Sequence, residues 1–321
     1  MYSTKELQNI IEKRLSEVRF PPRPELLYEP VRYILEDGGK RIRPMLAMLA
    51  ANLYSDVIKQ ASGSALAVEV FHNFTLLHDD IMDKAPVRRS RETVHRKWNE
   101  NVAILSGDAM VILSYHLLCR DTLPEHLPQM LAVFNTAAIQ VCEGQQYDMD
   151  FESFDEVPID RYIDMIRLKT AALMAAALEM GAIAGGADAV QRKNLYEFGV
   201  NLGLAFQIQD DLLDTYGDPA TFGKQIGGDI AAGKKTFLYI TAANKATAEE
   251  LAILKDGSGD AGERFRRTKV LYDRLGVKEE AEKSISEYFH KALGILDACH
   301  ASKERLRPLS EYAHALMQRE K

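Results

Sequence analysis

Phe71-His72-Asn73-Phe74-Thr75-Leu76-Leu77-His78-Asp79-Asp80-Ile81-Met82-Asp83 closes an apolar run that begins at Ala65. Apolar residues recur through the run at steps of three and four, the period of a helix with one buried face. The acidic end needs explaining. Asp79 and Asp83 are i and i+4, so two like charges share a helix face one turn apart. At about 6 Å and an effective dielectric near 20, one such pair costs roughly 3 kcal/mol before screening. The same arrangement returns at Asp210-Asp211-Leu212-Leu213-Asp214, at the end of a second apolar run. A chain that does this twice inside apolar segments is expected to carry a compensating cation. Oxygen-only ligands at this density suit a hard divalent ion, magnesium above all.

Working outward, helical periodicity dominates and alternating strand patterns are scarce. Leu46 to Leu53, Ala65 to Asp83, Val102 to Cys119, Gln129 to Asp150, Ile159 to Ile183 and Gln191 to Tyr216 read as helices. So do Thr236 to Asn244, Ala248 to Leu254, Phe265 to Leu275, Lys278 to Cys299 and Lys303 to Arg319. Glycine, proline and aspartate punctuate them, at Gly38-Gly39, Pro86, Pro124 with Pro128, Pro158 and Gly185-Gly186. No linker separates two domains, and Asp256 to Glu263 is the expected mobile loop. The fold class expected is all-α: one domain over residues 1–321, with the two acid clusters facing each other across a central cavity. Helix bundles build metal sites in this way.

Composition narrows the function. The chain has 321 residues, 46% hydrophobic and 27% charged, with net charge −7. Nothing in that balance points to nucleic acid as a general partner. Cys119, Cys142 and Cys299 are scattered without ligand spacing. They read as reduced, buried thiols of a cytoplasmic protein. Met1 to Glu17 has no apolar signal core. Thr170 to Gly186 is the longest apolar stretch, but Glu179 interrupts it and it is short for a membrane span. A buried core helix is expected there, and no membrane span.

Cations accompany both acid clusters. Lys84-Ala85-Pro86-Val87-Arg88-Arg89 follows the first, and Pro86 is expected to end the helix and put Arg88 and Arg89 on a loop. Arginine makes forked contacts to phosphate. Upstream, Gly38-Gly39-Lys40-Arg41-Ile42-Arg43 puts three cations on a glycine turn, without P-loop spacing. Phe222-Gly223-Lys224-Gln225 and Gly233-Lys234-Lys235 follow the second cluster, and Lys169-Thr170 sits within an apolar helix. Six aspartates and a polyphosphate cannot share a cavity unaided. Magnesium together with Lys40, Arg43, Arg88, Arg89, Lys169, Lys224 and Lys234 would balance them, which implies a diphosphate ligand, or two.

These motifs resemble those of the trans-isoprenyl diphosphate synthases, or polyprenyl synthetases, from the Gly-Gly-Lys turn to the basic C-terminus Arg319-Glu320-Lys321. The resemblance is carried by Leu77-His78-Asp79-Asp80-Ile81-Met82-Asp83 with Arg88-Arg89, and by Gln207-Ile208-Gln209-Asp210-Asp211-Leu212-Leu213-Asp214 with a downstream Gly-Lys. It implies a terpenoid-synthase (isoprenoid synthase type I) helical fold, a homodimer and three magnesium ions. Asp79, Asp83 and Asp210 would be the main metal ligands, assisted by Asp80, Asp211 and Asp214. Arg88, Lys169, Thr170, Gln207, Lys224 and Lys234 would hold the allylic diphosphate. Lys40, Arg43, His72 and Arg89 would hold isopentenyl diphosphate without metal. His72 lies seven residues before Asp79 on the same face. His78 and His95 read as structural, and Glu143 to Asp148 as a helix lining. The reaction implied is head-to-tail 1′-4 condensation of isopentenyl diphosphate with an allylic diphosphate, with loss of pyrophosphate.

The same resemblance addresses product length. Phe71 and Thr75 fall roughly on the face of Asp79 and Asp83, with Phe74 at its flank. In the family, bulk at the fifth position before the first aspartate limits the product to short chains. Phe74 occupies that position beside the small Thr75, which favours geranylgeranyl diphosphate (C20), then farnesyl (C15). Three rivals stand beside this reading. A class I terpene cyclase shares the first motif, but its second mixes Asn, Ser or Thr with Glu. A head-to-head synthase of the squalene type spaces its acids differently. A non-catalytic partner subunit would be marked by a lost aspartate, and all six are present.

Overall fold

The computed structural model of this chain describes residues 1–36, 38–218 and 226–318. Among them, the only strands are a two-residue pair, Val87–Arg88 with Arg91–Glu92; the other regular elements are helical. The all-α expectation holds. The described chain falls into two compact units. One comprises residues 1–134, 176–196 and 299–310; the other comprises 135–175, 197–298 and 311 onward.

In the first unit, helix Ser62–Met82 packs most extensively on Glu100–Asp121. Two glycines make the approach close. A Cβ on Gly63 would sit 2.8 Å from Asp121 Cβ, and one on Gly107 would sit 2.3 Å from His78 Nε2. Leu66, Val70, Leu77, Ala103, Met110 and Leu117 form the seam, joined by Val31 and Ile34. Burying each large side chain of such a seam contributes roughly 1.5–3 kcal/mol. Ile42–Tyr54 is buried along ten consecutive residues, Pro44 to Leu53. Gly181 lets it approach: a Cβ there would lie 2.0 Å from the Ala47 carbonyl oxygen. Arg41, before that helix, is buried with Glu69 in a 2.7 Å ion pair, both side chains 3% exposed. Its guanidinium also donates to Leu35 O at 2.7 Å, and Asn73 Nδ2 donates to Glu69 Oε1 at 3.1 Å. Arg41 therefore ties the glycine turn to Ser62–Met82.

In the second unit, Tyr162, Ile166, Ile208, Leu212, Phe237, Ile240, Leu271, Tyr272, Val277 and Ala281 build one core. They come from Ile159–Ile166, Ala189–Tyr216, Phe237–Lys245, Ala261–Arg274 and Val277–Asp297. The run from Ile159 is not uniform: Arg167–Ala171 is a π-helical turn before the helix resumes at Ala172–Gly185.

Several expectations need correction. Thr4–Ser16 and Glu25–Glu36 are helices that the periodicity did not reveal. The first buries only Leu7 and Ile11, and its start is set by a capping box between Ser3 and Glu6. The second carries Pro30 within it. The break at Asp256 to Glu263 is shorter, because Asp260 caps a helix beginning at Ala261. Cys119 and Cys142 are exposed, and only Cys299 is buried; all three are free. By length and composition, two described helices could cross a membrane. Ile159–Gly185 has 83% of its apolar window buried, as a core helix does, whereas Glu100–Asp121 has only 39%.

Candidate active site

The first acid cluster closes Ser62–Met82, with Asp83 as C-cap and Lys84 in the left-handed region at φ 51°. The helix therefore stops at Met82, before Pro86, by reversal at Lys84 rather than by the proline. Arg88 and Arg89 lie on a small hairpin, not an open loop, with Arg89 and Ser90 both at positive φ. That hairpin returns Arg88 to the acids. Its Nε donates to Asp80 Oδ1 at 2.7 Å, and its Nη2 lies 3.5 Å from Asp79 Oδ2. Asp80 is buried, and burial pushes its carboxyl up to about 6. Arg88 pulls it down, while Asp79 and Asp83 push it further up.

A second group of cations gathers around His72. Burial, then the fields of Arg43, Arg89, Arg88 and Arg41, holds its imidazole well below the ordinary histidine range. It is neutral near pH 7, where it can both donate and accept. Burial lowers the Arg43 guanidinium to about 10, with Glu69 opposing and Arg89 reinforcing. Arg89 Nη1 donates to Gly38 O at 3.0 Å. A Cβ on Gly39 would lie 2.9 Å from that nitrogen, and Gly39 sits at φ 116°. Lys40 is exposed on the same turn. Arg43, His72, Arg89 and the turn bearing Lys40 are thus neighbours.

Below the acids, Phe71 is buried and packs on Phe134 at 5.4 Å and on Phe74 at 5.3 Å between ring centroids. Phe74 also meets His78 edge-on at 4.7 Å. The Thr75 hydroxyl donates to His72 O at 2.8 Å, so it presents its methyl rather than a free hydroxyl. His78 Nε2 is 3.2 Å from Ile104 O, a structural contact.

The second cluster is wired differently. Asp210, Asp211 and Asp214 all lie within Ala189–Tyr216. Asp211 is buried and accepts from Tyr162 Oη, from Gln207 Nε2 at 3.0 Å and from the Phe237 backbone N–H at 3.0 Å. Burial pushes its carboxyl up, and the three hydrogen bonds oppose that. Burial and Asp211 together push the Tyr162 hydroxyl far up, so it stays a donor. Thr170 Oγ1 donates to Gln207 Oε1 at 2.7 Å, linking the Lys169-Thr170 pair to Asp211. Asp214 accepts the Asp229 N–H at 3.0 Å, and its carbonyl accepts the Gly227 N–H at 2.7 Å. Lys234 donates its backbone N–H to Asp229 O at 3.0 Å. Lys224, with Phe222, Gly223 and Gln225, lies outside the described residues, as do Arg319, Glu320 and Lys321.

Lys169 and Thr170 occupy the π-helical turn, a feature common at functional sites. Lys169 Nζ pairs with Asp148 Oδ2 at 2.6 Å. Gly144 makes room for the turn: a Cβ there would lie 2.3 Å from Lys169 N. The Glu143 to Asp148 stretch is therefore the brace for Lys169. Three supporting residues escaped the sequence, Glu69, Tyr162 and Phe237, and Asp148 was read only as part of a helix lining. Asp148 had a signal, since a lysine in an apolar helix needs a carboxylate partner. Tyr162 had none.

The donor set fits a hard cation bound together with a substrate. Among the described residues, no three His, Cys, Asp or Glu side chains converge to hold a metal ion alone. Magnesium is typically held by one or two carboxylates plus substrate phosphates and water. Asp80 and Asp211 each accept hydrogen bonds from protein donors.

A family model described as "Polyprenyl synthetase" matches residues 24–275. The chain is 36% identical over 278 residues to the short chain isoprenyl diphosphate synthase of Methanothermobacter thermautotrophicus, covering 86% of each. It superposes on a crystal structure of a geranylgeranyl pyrophosphate synthase with a TM-score of 0.95, 42% identity and full coverage of both chains. The geranylgeranyl pyrophosphate synthase of Corynebacterium glutamicum, crystallised with isoprenyl diphosphate and magnesium, gives a TM-score of 0.84 at 27% identity, covering 98% of this chain and 97% of that one.

Proposed function

Because this chain belongs to the polyprenyl synthetase family and has its all-helical isoprenoid-synthase fold, we propose that it joins isopentenyl diphosphate head-to-tail to an allylic diphosphate. Pyrophosphate is released, and the product is a short trans-prenyl diphosphate, geranylgeranyl diphosphate first and farnesyl diphosphate next. The family match runs through both compact units, which supports one polyprenyl synthetase domain over the chain. The observation that carries the reading is the aspartate wiring. The middle acid of each cluster is fixed by the protein, Asp80 by Arg88 and Asp211 by Tyr162, Gln207 and Phe237. Neither rival class, cyclase or non-catalytic partner, finds support among the relatives.

Asp79, Asp83 and Asp210 would hold magnesium against the allylic diphosphate, with Asp80, Asp211 and Asp214 behind them. Magnesium supplies charge neutralisation to the leaving diphosphate as the allylic carbon–oxygen bond breaks. Arg88, Lys169, Thr170, Gln207 and Lys234 bind and orient that diphosphate. Lys169 is aimed by Asp148 and Thr170 by Gln207. Lys40, Arg43, His72 and Arg89 bind isopentenyl diphosphate through charge and hydrogen bonds alone. Its double bond then attacks the allylic carbon, and the proton lost passes to the departing pyrophosphate. Phe74, resting on Phe71, closes the tail pocket.

A homodimer would pair through Glu100–Asp121. Leu105 and Ile112, seven residues apart on one face, are 60% and 71% exposed. Such a stripe suits a two-fold interface.

The decisive test incubates the protein with isopentenyl diphosphate and each of dimethylallyl, geranyl and farnesyl diphosphate, with magnesium or with chelator. Geranylgeranyl diphosphate should form only with magnesium. Hydrocarbon released from farnesyl diphosphate alone would instead establish a cyclase. Phe74→Ala should lengthen the products, and an unchanged product length removes Phe74 as the floor.

A further inference from the structure

A cluster of cations in the second unit takes no part in the proposed prenyl transfer. Lys235 follows the short helix Gly228–Ala232, Lys255 ends Ala248–Lys255, and Arg264 lies in Ala261–Arg274. These separate elements bring the three side chains to one depression of about 260 Å³, also lined by Ser153, Gly233 and Tyr239. Like charges gathered this way repel one another. Among the described residues, no carboxylate comes within ion-pair distance of Lys235, Lys255 or Arg264. Glu152 and Asp155 line the same depression but stop short of that range.

Two further observations show what is missing. The Tyr239 hydroxyl oxygen is buried and lacks a hydrogen-bond partner within the described protein. A buried polar atom left unmatched costs about 1–3 kcal/mol. Lys235 rests its ammonium 4.4 Å from the Tyr239 ring centroid. Burial, then repulsion from Lys255, depresses its amine, and the attraction of Asp155 ranks below that repulsion. Arg264 uses Nη1 on Ala231 O at 3.3 Å. Its Nη2 lies 3.3 Å from where a Cβ on Gly233 would sit, so a side chain there would crowd the guanidinium.

We propose that Lys235, Lys255, Arg264 and the Tyr239 hydroxyl form a binding site for a phosphoryl anion, taken up as free orthophosphate or as inorganic pyrophosphate. Arginine offers the forked donor, the lysines offer point charges, and the phenol offers a directed O–H. Four donors on several elements match a tetrahedral oxyanion, and the volume accommodates the diphosphate as well. The site does not depend on the prenyl-transfer reading, because it uses none of the residues assigned to magnesium or to either substrate diphosphate.

The test is site-resolved amine labelling of the full chain, read by mass spectrometry in magnesium-free buffer. Orthophosphate, pyrophosphate and sodium chloride are compared at matched ionic strength. Either phosphate should slow labelling at Lys235 and Lys255 by about fivefold or more, with Lys59 unaffected and chloride without effect. The stronger protector of the two identifies the source. Arg264→Ala and, separately, the exposed-site change Lys255→Ala should abolish protection at Lys235, with circular dichroism melts confirming that each variant folds. Equal slowing by chloride, protection confined to Lys234, or no protection overturns the proposal.

Discussion

The two aspartate clusters have one spacing and two kinds of support. Asp80 is held by a charge, the guanidinium of Arg88, which comes from a surface hairpin and is itself a proposed phosphate ligand. Asp211 is held by three neutral donors from two other helices and its own, inside a core. A charged partner can exchange one anion for another when substrate arrives. A neutral network cannot, so it fixes geometry instead. The first cluster is built to be re-paired and the second to stay in place. Identical sequence spacing therefore conceals a division of labour.

The largest effect tests what the clusters share. Asp79→Ala and Asp210→Ala should each lower kcat by about a thousandfold, near 4 kcal/mol of barrier, with the fold intact. Steady-state kinetics at saturating magnesium would measure it. A loss below tenfold at either position would remove that aspartate from the metal set.

Stability separates what the clusters do not share. Asp211→Asn leaves one acceptor oxygen facing three donors, so at least one buried donor is orphaned. Urea unfolding should show a loss of about 3 kcal/mol. Asp80→Asn gives up the charge in its pair with Arg88, whose side chain is 26% exposed, so water screens part of it. Its cost should be about 1 kcal/mol. An equal or reversed order would mean that the Tyr162–Gln207–Phe237 network does not set the position of Asp211.

This contrast also marks what the sequence could convey. The acid spacing, the cations behind it and the long helices are periodic or charged patterns, which a single strand of text displays. The supports are long-range. Tyr162 reaches Asp211 across forty-nine positions and Phe237 across twenty-six. Arg41 showed in the sequence only as one cation of the glycine turn, because Glu69, its buried partner, stood unmarked inside an apolar run. Pro86 looked like the helix stop, yet reversal at Lys84, a residue with no preference for positive φ, came first. The π-helical turn at Arg167–Ala171 was hidden because the contact it makes is to a residue without a side chain, Gly144.

That glycine supplies a smaller-effect test of the fixed half. In Gly144→Ala the new methyl would meet Lys169 backbone at 2.3 Å, and backbone cannot swing aside as a side chain can. The turn should shift and Lys169 should lose its aim. A fall in kcat of about ten- to a hundredfold is expected, with a modest rise in the KM for the allylic substrate. Magnesium dependence should stay unchanged. A shift in magnesium dependence instead would place the turn behind the metal rather than behind the diphosphate.

The smallest effect belongs to the re-pairing half and concerns protons. His72 is buried and lies in the field of Arg43, Arg89, Arg88 and Arg41, so the folded state disfavours its charged form. The unfolded chain takes up a proton below pH about 6.5, and the folded chain does so only at lower pH. In that window the unfolded state binds more protons, so stability falls as the solution is acidified and is fully present above it. The slope for one proton is at most about 1.4 kcal/mol per pH unit. His72→Gln removes the titrating group and keeps the hydrogen-bonding capacity. Between pH 7.5 and 5.5 the wild type should lose more stability to urea than the variant. Saturating isopentenyl diphosphate should shrink the difference, because its negative charge offsets the arginines that keep His72 neutral. If both proteins lose the same amount, neither burial nor the arginine field holds the imidazole neutral, and the metal-free anion site loses its centre.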